Sequence, residues 1–144
     1  MRIVAARDVL PAAPPELEAL RFVNRPPDEV TRRVCVAGDV GFSAKILSGS
    51  GGDPLHEIAP VLRSADLSVA NLETSLGGDV DPGAQFAAPA SAAPLLTAAG
   101  FDLLNLANNH ILDHGPRGLA NTREALAAAG ARVLGAGPDE AASR

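Results

Sequence analysis

Strand-like and helix-like segments alternate along residues 33–134, and this predicts an α/β fold with a mostly parallel sheet and helices on both faces. Three observations carry the expectation. Arg33-Val-Cys-Val-Ala37, Leu67-Ser-Val-Ala70 and Leu103-Leu-Asn-Leu-Ala107 are short apolar runs that each close on a polar turn. The stretches between them place apolar residues at helical spacing. Their length suits right-handed crossovers between parallel strands.

In chain order, residues 1–32 read as a Pro/Ala-rich extension with a short helix at Glu16 to Phe22. The first strand ends in Gly38-Asp39. A flexible loop, Ser48-Gly-Ser-Gly-Gly-Asp53, leads into a helix from Pro54 to Ala65, with Asp53 as N-cap and Leu55, Ile58, Ala59 and Leu62 on one face. The second strand ends in Asn71-Leu72-Glu73. A short helix follows at Ala92 to Ala99, and the third strand ends in Asn108-Asn109-His110. Pro116 to Ala129 reads as a helix with Leu119, Thr122, Leu126 and Ala129 inward and Gly130 at its end. Arg132 to Leu134 is a fourth strand. The sheet therefore stops after about four strands, apparently truncated, with an open edge through which a second copy could pair.

Composition narrows the function classes. Of 144 residues, 28 are Ala, which leaves 38 Val, Ile, Leu, Met and Phe for a core. Four Phe, no Tyr, no Trp and a net charge of −5 argue against nucleic-acid binding, since there are few stacking platforms and a phosphate backbone would be repelled. Charged residues make up 20% of the chain and mean hydropathy is +0.12, as in a folded globular protein. The single cysteine, Cys35, excludes an internal disulfide, and its place between Val34 and Val36 makes it a small core hydrophobe. No apolar run reaches the roughly 20 residues of a membrane helix. A cytoplasmic location is expected for the chain as written, and surface association if an N-terminal signal has been lost.

Three successive strands end in polar groups: Asp39, then Asn71 and Glu73, then Asn108, Asn109 and His110, with Asp113 close behind. The C-terminal strand ends of an open parallel sheet share one edge, where ligands bind. Carboxylate, amide and imidazole groups there suit divalent Mn, Fe, Zn or Mg. Turn chemistry alone explains any one of these sites, but explains three in register less well.

The segments VCVAGDVGFS, ADLSVANLETSL and FDLLNLANNHILDHG resemble the bacterial capsule-synthesis (CapA, poly-gamma-glutamate biosynthesis) family, whose fold is similar to calcineurin-like metallophosphoesterases. Asn-Asn-His-x-x-Asp-x-Gly, at Asn108 to Gly115, is the most specific of them. The resemblance makes residues 33–144 the N-terminal half of a metallophosphatase-like domain. It implies a centre of one or two divalent metals with Asp39, Glu73 and Asn109 as ligands. His110 would act on the leaving group, with Asp113 orienting it or bracing the turn, and Asn71 and Asn108 would meet the substrate, an anionic polymer or a phosphorylated small molecule. Two departures stand out. Gly41 occupies the position where the phosphoesterase pattern brings a His, and further His ligands are expected later than Arg144, so the metal shell is incomplete. The reading is a metal-dependent hydrolase of capsule biosynthesis; its alternative is a non-catalytic accessory protein or an inactive fragment. A zinc pair of His110 and His114 is disfavoured by the surrounding turn residues, and the glycine clusters at 49–52 and 135–137 lack the full phosphate-binding patterns. The helix N-terminus at Pro54 is a weaker candidate for holding an anionic group.

Overall fold

The structure, a computed structural model, describes residues 32–49, 52–77 and 86–137. The helix expected at Glu16 to Phe22, and all of the extension but Arg32, lie outside these residues. Four strands form one parallel sheet: β1 (Val34–Val40), β2 (Leu67–Leu72), β5 (Leu103–Asn105) and β6 (Arg132–Leu134), side by side in that order. The α/β class and the parallel sheet follow the sequence pattern. Between β2 and β5 the chain adds a small parallel pair that the sequence did not announce, β3 (Ser75–Leu76) with β4 (Ala87–Ala88).

The helices are α1 (Ala44–Gly49), α2 (Ala59–Arg63), α3 (Ala93–Ala99) and α4 (Gly115–Ala128). Helix α2 packs on α3 and α3 on α4, and α4 also contacts β3 and β6. The core lies against this layer, where Ala70, Leu72, Leu104, Leu106, Leu96 and Leu126 are buried. Thr122, on the inward face of α4 as its spacing predicts, accepts from the Leu76 N–H at 2.8 Å and so ties the helix to β3. The other sheet face is less covered: Leu67, Val69 and Leu103 are half-buried, and Val36 on the edge strand is 75% exposed.

Two expected elements differ. The helix predicted from Pro54 to Ala65 is a run of turns over 54–58 followed by the five residues of α2. Pro60 is the reason: it has no N–H to bond back to residue 56, so a helix can start there but not pass through. Asp53 still caps the segment, accepting from the Leu55 N–H at 2.8 Å. With so short a helix, the anion site expected at Pro54 has no aligned dipole behind it. Conversely, residues 44–47 carry no expected element, whereas α1 covers them and takes in Ser48 and Gly49 from the expected loop, and Ser43 caps it by accepting from the Ile46 N–H at 3.2 Å.

Aspartates stitch the N-terminal ends of the strands. Asp102 accepts from the Ser68 N–H at 2.8 Å, and Asp66 accepts from the Arg33 N–H at 2.7 Å and from the Arg32 guanidinium at 3.1 Å. The Arg33 N–H bond, helped by Arg32, holds the Asp66 carboxyl below its ordinary value of 3.8. A depressed carboxyl adds stability above its unfolded-state value and loses it as pH falls through the folded one. Urea midpoints measured at pH 6 and pH 3 should therefore converge for the parent and Asp66→Asn; parallel curves would show that Asp66 adds nothing to acid sensitivity. Cys35 is half-buried against the core rather than within it as expected, and burial pushes its thiol up, opposed in part by a hydrogen bond with Ser68.

Candidate functional site

In β1 the register slips between Val36, paired with Val69, and Asp39, paired with Asn71. An unbroken ladder would set Asp39 opposite Leu72, whose side chain is in the core. The extra residue is a β-bulge, and it turns Asp39 onto the less covered sheet face. Asn105 in β5 is the next partner of Asn71. One row of side chains, Asp39, Asn71 and Asn105, thus crosses three parallel strands at their C-terminal ends, as the sheet-edge argument predicts.

The row is hydrogen-bonded throughout. The Asn71 amide donates to Asp39 Oδ1 at 2.8 Å and, over a longer 3.4 Å, to Glu73 Oε1. Its carbonyl accepts from Asn105 at 2.9 Å and from Asn108 at 3.2 Å. Asn108 also donates to the Leu72 carbonyl at 2.8 Å and accepts from the His110 N–H at 3.0 Å. Both N–H bonds of Asn71 and both of Asn108 are therefore engaged within the protein, and substrate contact by either would require releasing one.

His110 forms the second part of the site. Its Nδ1 lies 2.8 Å from Asp113 Oδ2 and its Nε2 3.1 Å from the Asn109 amide nitrogen. A carboxylate only accepts, so the proton sits on Nδ1 and Nε2 accepts from Asn109. The Asp113 backbone N–H also donates to the His110 carbonyl at 3.0 Å, closing the turn between them. The Phe86 ring stacks on the imidazole with centroids 4.0 Å apart and planes 23° apart. Phe86 adopts a left-handed φ of 53° and is fixed by the Ser75 N–H bond to its carbonyl at 2.9 Å. Gly41 lies beside this arrangement: a Cβ there would stand 3.5 Å from the Phe86 ring, in ordinary van der Waals contact.

Asp39, Glu73, Asn71 and Asn108 thus form one cluster, joined through Asn108 to the backbone of His110. No hydrogen bond brings Asn109 to the carboxylates. His114 is exposed at the start of α4, and among the described residues no group of three or more His, Cys, Asp or Glu side chains converges as a metal shell. Two hard carboxylates facing one nitrogen still fit, in donor chemistry, an ion of the Mg2+ kind, which commonly takes one or two carboxylates and keeps several waters. Sequence reasoning missed Asn105 and Phe86. A lone Asn in an apolar strand was the available signal for the first, whereas Phe86, between Gln85 and Ala87, has no pattern around it.

The family described as bacterial capsule synthesis protein PGA_cap matches residues 33–144. The chain belongs to this family. A probable polyglutamine synthesis accessory protein of Mycobacterium tuberculosis strain H37Rv is 40% identical over 98 residues, covering 63% of this chain and 26% of that protein. An uncharacterized protein of Sinorhizobium fredii is 33% identical over 113 residues, covering 72% of this chain and 24% of that protein. This PGA_cap chain spans about a quarter of the length of the curated relatives it matches. No helix among the described residues is long and apolar enough to cross a membrane.

Proposed function

We propose that this PGA_cap chain supplies the carboxylate and histidine edge of a metal-dependent hydrolase acting on an anionic polymer or a phosphorylated small molecule in capsule synthesis. The observation that supports this best is the Asp113–His110 pair, linked through Asn108 to the cluster holding Asp39 and Glu73. A divalent ion held by Asp39 and Glu73 would supply Lewis acidity and activate water. The remaining work falls to the chain. Asp113 fixes the tautomer and angle of the imidazole, Phe86 shields one of its faces, and Nε2 is the atom that exchanges a proton with the substrate once Asn109 gives way.

The test is a panel of chromogenic phosphomonoesters, phosphodiesters and γ-glutamyl amides, assayed with Mn2+. His110→Ala should lower kcat/KM by roughly 10²–10⁴-fold, the usual worth of a positioned acid–base group. Asp113→Asn should cost less. Equal rates in parent and variants would overturn the reading. A second reading, a non-catalytic accessory role, is favoured by the name of the Mycobacterium tuberculosis relatives and by the two-carboxylate donor set. Polymer binding without turnover of any panel member would establish it.

A further inference from the structure

The direction in which the Asn71 amide points is dictated by backbone groups several residues away. The Ala107 N–H, which can only donate, lies 3.2 Å from Asn105 Oδ1 and thereby leaves the Asn105 NH2 facing Asn71. The His110 N–H and the Leu72 carbonyl fix Asn108 in the same way. Two donors thus converge on the Asn71 carbonyl oxygen, and its NH2 has nowhere to turn but toward Asp39 and Glu73. A flipped Asn71 would set its oxygen against two carboxylates and its NH2 against two other NH2 groups.

Gly135 makes room for this arrangement. It follows β6 with a φ of +89°, and a Cβ on it would lie 2.6 Å from Asn105 Oδ1 and 2.8 Å from the Ala107 nitrogen. Only glycine leaves space for the bond between those two atoms. A residue that reads in the sequence as loop punctuation is packed directly against the polar row.

We infer that Asn105, given its space by Gly135, is a positioning residue that locks the Asn71 amide so that its NH2 holds the Asp39 and Glu73 carboxylates as a preset pair. Its importance for metal binding rests on the reading that this pair takes a divalent ion, whereas the lock itself is a property of the chain alone. Asn105→Asp is the sharpest perturbation: an acceptor replaces the donor opposite the Asn71 oxygen, with almost no change of shape. The Asn71 oxygen would then be repelled on that side, while Asn108 and the Asp39–Glu73 pair still oppose a flip, so the amide would be displaced from its place against the carboxylates.

Two measurements on the protein separate these points. In 15N-labelled, metal-free protein, the Asn71 side-chain NH2 signals should shift in Asn105→Asp and in Gly135→Ala; signals unmoved in a folded Asn105→Asp variant would overturn the inference. Mn2+ titrations followed by electron paramagnetic resonance should show a 10–100-fold loss of affinity in Asn105→Ala and Gly135→Ala, which take the support away without adding a carboxylate, the usual cost of removing support behind a metal ligand. Asp39→Ala should lose the site. Shifted amide signals with parent-like Mn2+ affinity would overturn the claimed effect on the carboxylate pair. Parent protein that binds Mn2+ no better than Asp39→Ala would overturn the metal reading while leaving the amide lock standing.

Discussion

Thr74→Val is expected to destabilise the fold by about 2–5 kcal/mol and to disorganise the candidate site along with it. The Thr74 hydroxyl, wholly buried, accepts from the Phe42 N–H at 2.6 Å and donates to the Phe42 carbonyl at 3.3 Å. Valine keeps the shape and leaves both backbone groups unpaired in an apolar surrounding, at roughly 1–3 kcal/mol each. Phe42 follows the segment that carries Asp39 and Gly41, and Thr74 directly follows Glu73, so this hydroxyl pins the tails of β1 and β2 to each other. Urea unfolding should show the midpoint falling by about 1 M or more at an unchanged slope. On the proposed metal reading, Mn2+ binding should weaken in the folded variant too. A midpoint within about 0.3 M of the parent would show that the two groups find other partners.

Leu104→Ala should have a comparable thermodynamic effect by a different route. Leu104 is the central residue of β5, completely buried between its neighbours in β2 and β6. Truncating such a leucine removes about 2–5 kcal/mol, through lost transfer free energy and the cavity left behind. Domains of this size have only about 5–15 kcal/mol to lose. The cavity opens on the helix-covered face, whereas Asn71 and Asn105 lie on the other. The folded fraction should therefore keep parent-like Asn71 side-chain signals in the 15N spectrum. Loss of those signals at equal stability would mean that the two sheet faces are coupled more tightly than the packing implies.

The parts of this molecule that were legible in the sequence are those fixed by local chemistry. Arg132 to Leu134 forms a strand where the apolar pair Val133 and Leu134 follows the turn at Gly130. Helix α4 runs from Gly115 to Ala128 because Pro116 starts it and the chain turns at Ala129 and Gly130. The polar strand ends were legible for the same reason, since apolar runs stopping at Asp39, Asn71 and Asn108 announce where a parallel sheet presents its edge. What was not legible depended on distant partners. The β3–β4 pair is two residues long on each side and exists because Ser75 and Leu76 meet Ala87 and Ala88 across a long connection. Phe86 acquires its role only because folding sets it over His110. The omission of α1 was of another kind: Ser43 followed by Ala-Lys-Ile-Leu is a recognisable capped start, overshadowed by the glycines after it. The interrupted helix at Pro54 shows one proline overruling an otherwise regular apolar spacing.

The bulge in β1 has a consequence for how this edge can vary through descent. Gly38, inside the slipped step, has open space where a side chain would project. Changes of letter there should pass with little effect. A change of number has an equally definite outcome: removing one residue between Val36 and Asp39 would leave an even ladder with Asp39 still opposite Asn71, whereas keeping every residue and flattening the bulge would swing the carboxylate to the side occupied by Leu72. The aim of Asp39 is thus held jointly by a count of residues and by the bulge that absorbs the odd one, and it is lost only when the count is kept and the bulge is not.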